Sequence, residues 1–566
     1  MPEYTVSDYL LDRLVEMGVD RIFGVPGDFT LRLLDHVVDH PGLVWTGCTN
    51  ELNAGYAADG YGRMRGLGAL MTTFGVGELS AINAITGSYA EHVPVVHIVG
   101  SPSTDTQTAQ RIVHHSLGDG VFTHFLDMHR SITCARAALT RETATTEVDR
   151  VLVAARDARL PAYLLLPSDV GEAPAQPPAN RLPGPVDPTD EETLDEFADA
   201  AARLVRKASA TSDISVLAGV LVHRFGTVAE LTELINQGPL PHATSVWGKS
   251  LVDEANPAYL GIYQGGSSEP GARKAIEDAP VLIIAGVEFT DLNSGFFTQQ
   301  ITRSRTIELG PTSASVGSAT FAPLSLTAAL RTLASIVAQV PRGEVRPSPA
   351  PTLAAGTEPT AELTQGSLWG QVAGYLRPGD VVMADQGTSF YGMATARLPS
   401  GVTFLGQPLW ASIGYSLPGL LGACLAAPGR RGILLVGDGA AQMTVQELSS
   451  FLRAGLAPTV IVVDNRGYTV ERAIHGPEQA YNDIAEWDWT GLPALLAPGT
   501  ASNSFRVTTN GALSEALACA SSDADRLTLV QAVVPRLDTP PLLADLARAA
   551  ARANAPRGGP LVEDGA

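Results

Sequence analysis

Gly437-Asp438-Gly439 and Asn465 are residue types able to hold a charged ligand, and their spacing matters. Asp438 follows an apolar run, Ile433 to Val436, and Asn465 follows another, Thr459 to Val463, within Asp464-Asn465-Arg466-Gly467. Short apolar runs ending in glycine or turn residues predict strands buried on both faces. Between them, Thr444-Val445-Gln446-Glu447 has capping-box spacing and predicts a helix starting there. Val445, Leu448 and Leu452 would line its buried face and Gly455 would end it. Strand–helix–strand of this length is a right-handed parallel unit, so Asp438 and Asn465 fall at the carboxyl ends of neighbouring strands. A carboxylate beside an amide oxygen suits a hard cation such as Mg²⁺. Glycines and free helix N–H groups would admit a phosphate. Gly-Asp-Gly is equally good turn chemistry, so two ordinary turns explain the same residues.

A second group of candidates lies upstream. Val6, Tyr9, Leu10, Leu14 and Met17 form a helical stripe stopped by Gly18. Strands are expected at Arg21–Val25, Leu43–Thr46, Ala69–Phe74 and Val95–Val99, separated by helix-length segments. This alternation predicts a doubly wound parallel sheet. The first strand runs into Pro26-Gly27-Asp28, the second reaches Glu51, and the third ends in Gly75-Val76-Gly77. Ligands bind outside the carboxyl ends of such sheets, which points Asp28 and Glu51 toward a cleft. Adjacent His114 and His115 follow in a polar, glycine-flanked loop and suit proton transfer or a surface role. His92, His97, His124 and His129 are read as structural.

These segments belong to a chain of 566 residues, too long for one core. Lys+Arg 38 against Asp+Glu 59 leaves a net charge of −21, which argues against nucleic acid or anionic membranes as partners. A bound phosphate must then be met by backbone dipoles and a metal. Cys48, Cys134, Cys424 and Cys519 show no CxxC spacing. The opening MPEYTVSDYL lacks a signal-peptide pattern, and no apolar run nears the ~18 residues of a membrane span, so a cytoplasmic protein is expected. Proline-rich stretches at 171–190 and 341–360 separate domains expected at 1–180, 191–340 and 361–555. The middle one, with strands at Ile214–Val220, Val281–Ala285 and Thr306–Leu309, is sparse in chemistry. Leu542, Leu543, Leu546 and Ala549 form a stripe expected to pack in the core, and the terminal PRGGPLVEDGA is expected to be disordered. Two phosphate-type α/β sheets around a spacer suggest a duplication in topology more than in sequence.

Several motifs together resemble one family. Gly-Asp-Gly followed 27 positions after its Asp by Asn is similar to the thiamine diphosphate signature. IFGVPGDFTLRLLD, NELNAGYAADGYGR, TTFGVGELSAINAI, HHSLGDG, ADQGTSFYG, LWASIGYSLPG and GYTVERAIHGPEQAYNDI resemble the nonoxidative 2-oxo acid decarboxylases acting on pyruvate, indolepyruvate, phenylpyruvate or branched acids. The likeness covers nearly the whole chain. It implies three α/β domains, mostly parallel and doubly wound: pyrimidine-binding, middle and diphosphate-binding.

The resemblance also implies a site. Asp438, Asn465 and the Gly467 carbonyl would hold Mg²⁺, with Gly439, Ala440 and Thr388 at the diphosphate and Tyr468 beside it. The Ala411 carbonyl and Glu51 would meet the pyrimidine, with Ile413 as the bulky residue under a bent cofactor. Asp28, His114, His115 and Glu471 would transfer protons and hold the substrate, titrating as a cluster. Ser294, Gln386, Phe390, Val470 and Leu542 resemble pocket positions of enzymes taking aromatic or branched 2-oxo acids. Val470 stands where pyruvate enzymes carry isoleucine, so a roomy pocket tolerating pyruvate is expected. Arg466 departs from an acidic residue common in relatives, and VLAGVLVHRFG lacks the cysteine linked to substrate activation in yeast-type enzymes. Active sites between subunits of a homodimer, or of a dimer of dimers (a homotetramer), are implied. The rival readings are an acetolactate synthase-type carboligase and an inactive scaffold on the same fold.

Overall fold

The computed structural model describes residues 3–344, 356 and 358–554. The expectation of a disordered PRGGPLVEDGA terminus and most of the second proline-rich stretch lie outside these residues. Three sheets carry the molecule. The first holds β1 (Arg21–Gly24), β2 (Val44–Gly47), β3 (Gly68–Thr73), β4 (Val95–Ser101), β5 (Ala135–Ala138) and β6 (Ala162–Pro167), in the order β2-β1-β3-β4-β6-β5. The second holds β7 (Ile214–Ala218), β8 (His242–Ser245), β9 (Tyr259–Tyr263), β10 (Val281–Ala285), β11 (Thr306–Leu309), β12 (Ala314–Val316) and β13 (Ala319–Phe321). Its β11–β12 and β12–β13 pairs are antiparallel, and the rest parallel. The third holds β14 (Val381–Ala384), β15 (Thr403–Leu405), β16 (Gly432–Gly437), β17 (Thr459–Asp464), β18 (Ser502–Val507) and β19 (Leu527–Val533), in the order β15-β14-β16-β17-β19-β18.

The central strands of the first and third sheets are continuous apolar runs because helices cover both faces. In β16 the residues Ile433, Leu434, Leu435 and Val436 are all fully buried. Helix Val6–Glu16 starts at a Thr5 capping box, and its Tyr9, Leu10 and Leu14 stripe is buried. The C-terminal helix Pro541–Asn554 buries Leu542, Leu543 and Leu546, while Ala549 is only half-buried.

The first and third sheets share one hydrophobic core. Phe23, Tyr61 and Leu70 of the first join Met383, Leu420 and Leu434 of the third in a single cluster. Helices Glu51–Arg65 and Ser416–Ala426 meet here with their backbones in contact. A Cβ on Gly60 would collide with the Gly419 carbonyl, and one on Gly422 with the Ala57 carbonyl. Glycine at both positions is what permits the approach. The seam is also polar. Buried Asp59 accepts hydrogen bonds from Arg63 (2.6 Å), Ser88 (2.8 Å) and the Tyr415 hydroxyl (2.7 Å), and Arg63 donates to the Gly406 carbonyl (2.7 Å). Removing one member of such a buried ionic set typically costs about 3–5 kcal/mol.

The middle sheet docks on both neighbours through buried cations. Lys249 donates to Glu254 (3.1 Å) and to the Ala396 carbonyl (2.6 Å), and Arg224 to the Glu91 carbonyl (2.8 Å). All four cysteines are free thiols. Among the described residues, no helix is long and apolar enough to cross a membrane.

One local expectation is overturned. No helix starts at Thr444. A helix begins directly at Asp438 and runs to Thr444, a 3₁₀ turn covers Val445–Glu447, and Leu448–Arg453 completes the crossover before Gly455. The two capping-box side chains are engaged elsewhere. Thr444 Oγ1 donates to the Gly414 carbonyl (2.7 Å). Glu447 accepts from the Thr49 N–H (3.1 Å), the Thr49 hydroxyl (2.5 Å) and the Asn53 amide (2.9 Å). Tertiary partners outcompete the local cap.

Candidate active site

Two groups of side chains stand at the carboxyl ends of the first and third sheets, where each strand order reverses. In the third, β16 and β17 are parallel neighbours and bring Asp438 and Asn465 side by side. Both are buried, at 2% and 3% exposure. Asp438 Oδ1 accepts the Gly439 N–H (2.7 Å) and Oδ2 the Gly467 N–H (3.1 Å). Burial, the largest influence, pushes its carboxyl up to about 7. Asn465 Oδ1 is buried without a hydrogen-bond partner. An unpaired buried acceptor costs about 1–3 kcal/mol, and a cation is the group that relieves both it and the desolvated carboxyl. Carboxylate, amide and backbone oxygens are the donor set of a hard cation, so these residues fit Mg²⁺.

The loop from Asn465 to Tyr468 is held in shape. Gly467 has φ +128°, and a Cβ there would strike the Asn482 carbonyl. The Gly467 carbonyl accepts the Thr469 N–H (3.0 Å), leaving its second lone pair. Arg472 is buried and donates to the carbonyls of Asn465 (3.1 Å), Arg466 (2.6 Å) and Asn482 (3.2 Å). Tyr468 covers Gly439, since a Cβ on that glycine would lie 2.6 Å from its ring. Ala440 is buried in the helix that starts at Asp438. Thr388, also buried, opens helix Thr388–Ala394 after β14. Ala411 and Ile413 are half-buried in the turn ahead of helix Ser416–Ala426, and Ala411 takes a left-handed φ of +55°.

The first-sheet group is open. Asp28 follows β1, and its Oδ2 lies 2.8 Å from His114 Nε2, with the side chains 48% and 57% exposed. His114 stacks on Phe29 at 5.0 Å and meets His115 edge-on at 4.5 Å. Ligating atoms of Asp28, His114 and His115 lie within 4.8 Å of one another. Glu51 opens helix Glu51–Arg65 behind the Asn50 cap, and its carboxylate lies over the first turn of the helix Val76–Ala90 that follows β3: a Cβ on Gly77 would sit 3.3 Å from Oε1. A Cβ on Gly75 would collide with the His115 carbonyl, so the β3 loop and the histidine loop touch. Glu471 is exposed on helix Thr469–Ile474 of the other group. Among the described residues, no hydrogen bond or ion pair joins Asp28, Glu51, His114 or His115 to Asp438, Asn465 or Glu471.

The apolar residues between the second and third sheets gather as follows. Phe390 and Leu542 belong to one cluster, with Val470, Phe296 and Trp247 packed against it. A Cβ on Gly387 would lie 3.5 Å from Val470 Cγ2, so Val470 flanks the Thr388 helix. The Gln386 amide nitrogen donates to the Tyr391 hydroxyl (2.9 Å), and its Oε1 is buried without a partner. Ser294 is fully buried; its hydroxyl donates to the Thr290 carbonyl and accepts the Phe297 N–H (2.8 Å). Its oxygen is taken up within its own turn. Phe296 is what this loop sends to the cluster.

Sequence reading gave no site role to Arg472, Phe296, Glu447 or Asp385; Glu447 and Asp385 act through partners distant in the chain, whereas the partners of Arg472 lie within 11 positions of it. A buried arginine one position past Glu471 on a short helix was the one local signal available for Arg472.

Three family descriptions match the chain: thiamine pyrophosphate enzyme N-terminal TPP binding domain over residues 4–124, central domain over 198–336 and C-terminal TPP binding domain over 387–532. The chain is 54% identical over 558 residues to an alpha-keto-acid decarboxylase of Mycobacterium avium (strain 104), covering 98% of each protein. It is 55% identical over 552 residues to the protein of that name from Mycobacterium tuberculosis (strain ATCC 25618 / H37Rv), covering 96% of this chain and 97% of the relative. With the protein of that name from Mycobacterium leprae (strain TN), identity is 54% over 555 residues, covering 97% and 96%. All three thiamine domains in order, on sheets that end in these two groups, and full-length likeness lead to one conclusion: the chain is an enzyme of the thiamine diphosphate-dependent 2-oxo acid decarboxylase family.

Proposed function

We propose that this enzyme removes CO₂ from a 2-oxo acid and releases the aldehyde, using thiamine diphosphate held with Mg²⁺. Residues 1–180 bind the pyrimidine end, 361–555 the diphosphate end, and 191–340 form the spacer. The observation that carries the reading is the orphaned, buried Asn465 oxygen beside Asp438, on a sheet matching the C-terminal thiamine domain. When bound, the cofactor supplies the electron sink for the pair left as CO₂ departs.

The chain's own residues do the rest. Asp438, Asn465 and the Gly467 carbonyl hold the cation, while Gly439, Ala440 and Thr388 meet the diphosphate. Tyr468 packs beside them. The Ala411 carbonyl and Glu51 would meet the pyrimidine, and Ile413 would be the bulky residue against the cofactor. Asp28, His114, His115 and Glu471 hold the substrate and move protons to and from it. Phe390, Val470 and Leu542, with Gln386 and Ser294 at the margin, form the apolar pocket, which favours loss of a carboxylate by excluding water.

The pocket is proposed to take aromatic or branched 2-oxo acids. The enzyme is proposed to be cytoplasmic and to work as a homodimer or homotetramer, in which one chain's Glu51 faces the Asp438 of another. Exposure of Asp28, His114 and Glu471 in the single chain supports this, as do exposed Val76, Ile112, Leu117 and Met443 in the surrounding segments.

Aldehyde release from a panel of 2-oxo acids, with and without Mg²⁺ and thiamine diphosphate, tests the reading. Release that needs both cofactors and favours indolepyruvate, phenylpyruvate or branched acids over pyruvate is expected. Hydroxyketone as the main product, or strong preference for pyruvate, contradicts it.

A further inference from the structure

Directly after β14, ahead of Gln386 and Thr388, lies a carboxylate that the proposed chemistry does not use. Asp385 is 2% exposed. Its backbone is fixed: the N–H donates to the Leu435 carbonyl (2.8 Å), and the carbonyl accepts the Phe390 N–H (3.1 Å). Its side chain accepts three hydrogen bonds from one short turn: the Gly414 N–H at 3.1 Å, the Ser416 N–H at 3.1 Å and the Ser416 hydroxyl at 2.6 Å. All three converge on Oδ2, with Oδ1 a further 3.3 Å from the Gly414 nitrogen.

That turn carries Ala411 and Ile413, and it is not a relaxed one. Ala411 has φ +55° and Gly414 φ +86°. A non-glycine residue in the left-handed region persists where its surroundings over-determine it. The surroundings do so from both sides. The Gly414 carbonyl accepts Thr444 Oγ1 (2.7 Å), so this peptide is gripped at its N–H by Asp385 and at its C=O by Thr444. On the other side the Ala411 N–H donates to the Gln407 carbonyl (2.9 Å), and Ser412 Oγ lies 2.6 Å from the Tyr56 hydroxyl. Ile413 sits between the two grips.

We infer that Asp385 is a positioning residue, whose buried carboxylate clamps the Ala411–Ser416 turn so that Ile413 and the Ala411 carbonyl hold their places against the bound cofactor. The inference rests on the thiamine diphosphate reading above. A carboxylate is suited to the task because it only accepts: with both oxygens facing N–H and O–H donors, an amide would set its own NH₂ against one of them. Dispersing a clamp over one turn also separates cofactor geometry from cofactor affinity, which lies with Asp438, Asn465 and Thr388.

The test compares wild type with Asp385→Asn and Ser416→Ala. In the cofactor-free protein, hydrogen exchange by mass spectrometry should quicken about tenfold in the segment 410–417 of Asp385→Asn, while 432–437 and 459–464 keep their protection. With thiamine diphosphate and Mg²⁺ bound, the C2 proton of the cofactor should exchange with deuterium about tenfold more slowly or worse, because misplacement of reacting groups by ångström distances carries such losses. Cofactor affinity measured by calorimetry should stay within about threefold. Ser416→Ala should move the same readings in the same direction by a smaller factor, and it judges the clamp alone if Asp385→Asn fails to fold. C2 exchange at the wild-type rate overturns the inference, as does loss of protection across the whole third sheet, which would mark a stability role. Failure of the wild type itself to bind thiamine diphosphate instead overturns the reading beneath it.

Discussion

The first and third sheets repeat one another strand for strand: β2-β1-β3-β4-β6-β5 against β15-β14-β16-β17-β19-β18, with every neighbouring pair parallel. Their clefts open at the same switch points, yet the equivalent loops deliver different chemistry. After β1 comes Asp28 and after β14 comes the Asp385–Thr388 segment. After β3 comes a glycine loop and a helix whose first turn lies under Glu51, and after β16 comes Asp438. The second strands lead into helices Glu51–Arg65 and Ser416–Ala426, which pack on each other through Gly60 and Gly422. One helix starts with a carboxylate, while the other follows a turn bearing a carbonyl and an isoleucine. Topology supplies the place, and loop composition supplies the function.

Burial separates the two halves further. Asp438 and Asn465 are buried around an unsatisfied oxygen, a donor set that fits the proposed cation. Asp28 and His114 are half-exposed, which suits the proton transfer proposed for them. Breaking the third-sheet half should therefore remove the cofactor, whereas breaking the first-sheet half should leave it bound and idle.

The largest effect is expected from Asp438→Asn. Cation-dependent retention of thiamine diphosphate should weaken by about 100-fold or more, read by calorimetry with and without Mg²⁺. A smaller effect follows from narrowing the pocket. Val470→Ile should lower kcat/KM for aromatic 2-oxo acids by about tenfold and leave pyruvate nearly unchanged, in line with the ~1–3 kcal/mol that one methylene commands.

A pH-dependent effect on stability sharpens the contrast inside the first sheet. Glu78 is fully buried beneath the glycine loop, accepting from the Gly75 N–H (2.8 Å) and the Tyr163 hydroxyl (2.7 Å), with His129 3.9 Å away and His97 behind it. Burial pushes its carboxyl up to about 7, above the ordinary glutamate value of 4.5. The folded state thus holds this proton more tightly than the unfolded chain. The associated stability is complete below pH 4.5 and is lost as pH rises through 7, by up to about 3 kcal/mol. Glu78→Gln removes that slope, so its urea midpoint should gain on wild type between pH 5 and pH 8.

Much of the fold was legible because buried parallel strands announce themselves as apolar runs ending in turn residues. β10 and β11 fall at the expected residues, and β1 to β4 within one or two. The placement of Asp438 beside Asn465 followed from the crossover rule alone. What stayed illegible depends on partners far along the chain. Thr444 and Glu447 have the spacing of a cap, but their partners are Gly414, Thr49 and Asn53, in the latter two cases nearly 400 residues away. Asp385 looked like part of a motif, and only its convergence with Gly414 and Ser416, 29 and 31 positions on, gives it a task. Phe296 reaches its cluster by a loop that no periodicity describes.

The central claim is that two sheets of one design supply two halves of one site, which meet between chains. Co-expressing Glu51→Gln and Asp438→Asn chains tests it directly, because each variant alone lacks one half in every site. Mixed dimers would hold one intact site, so recovery of aldehyde release to about a quarter of the wild-type specific activity is predicted for random pairing. No recovery from folded, mixed dimers would contradict the account and place both halves within a single chain.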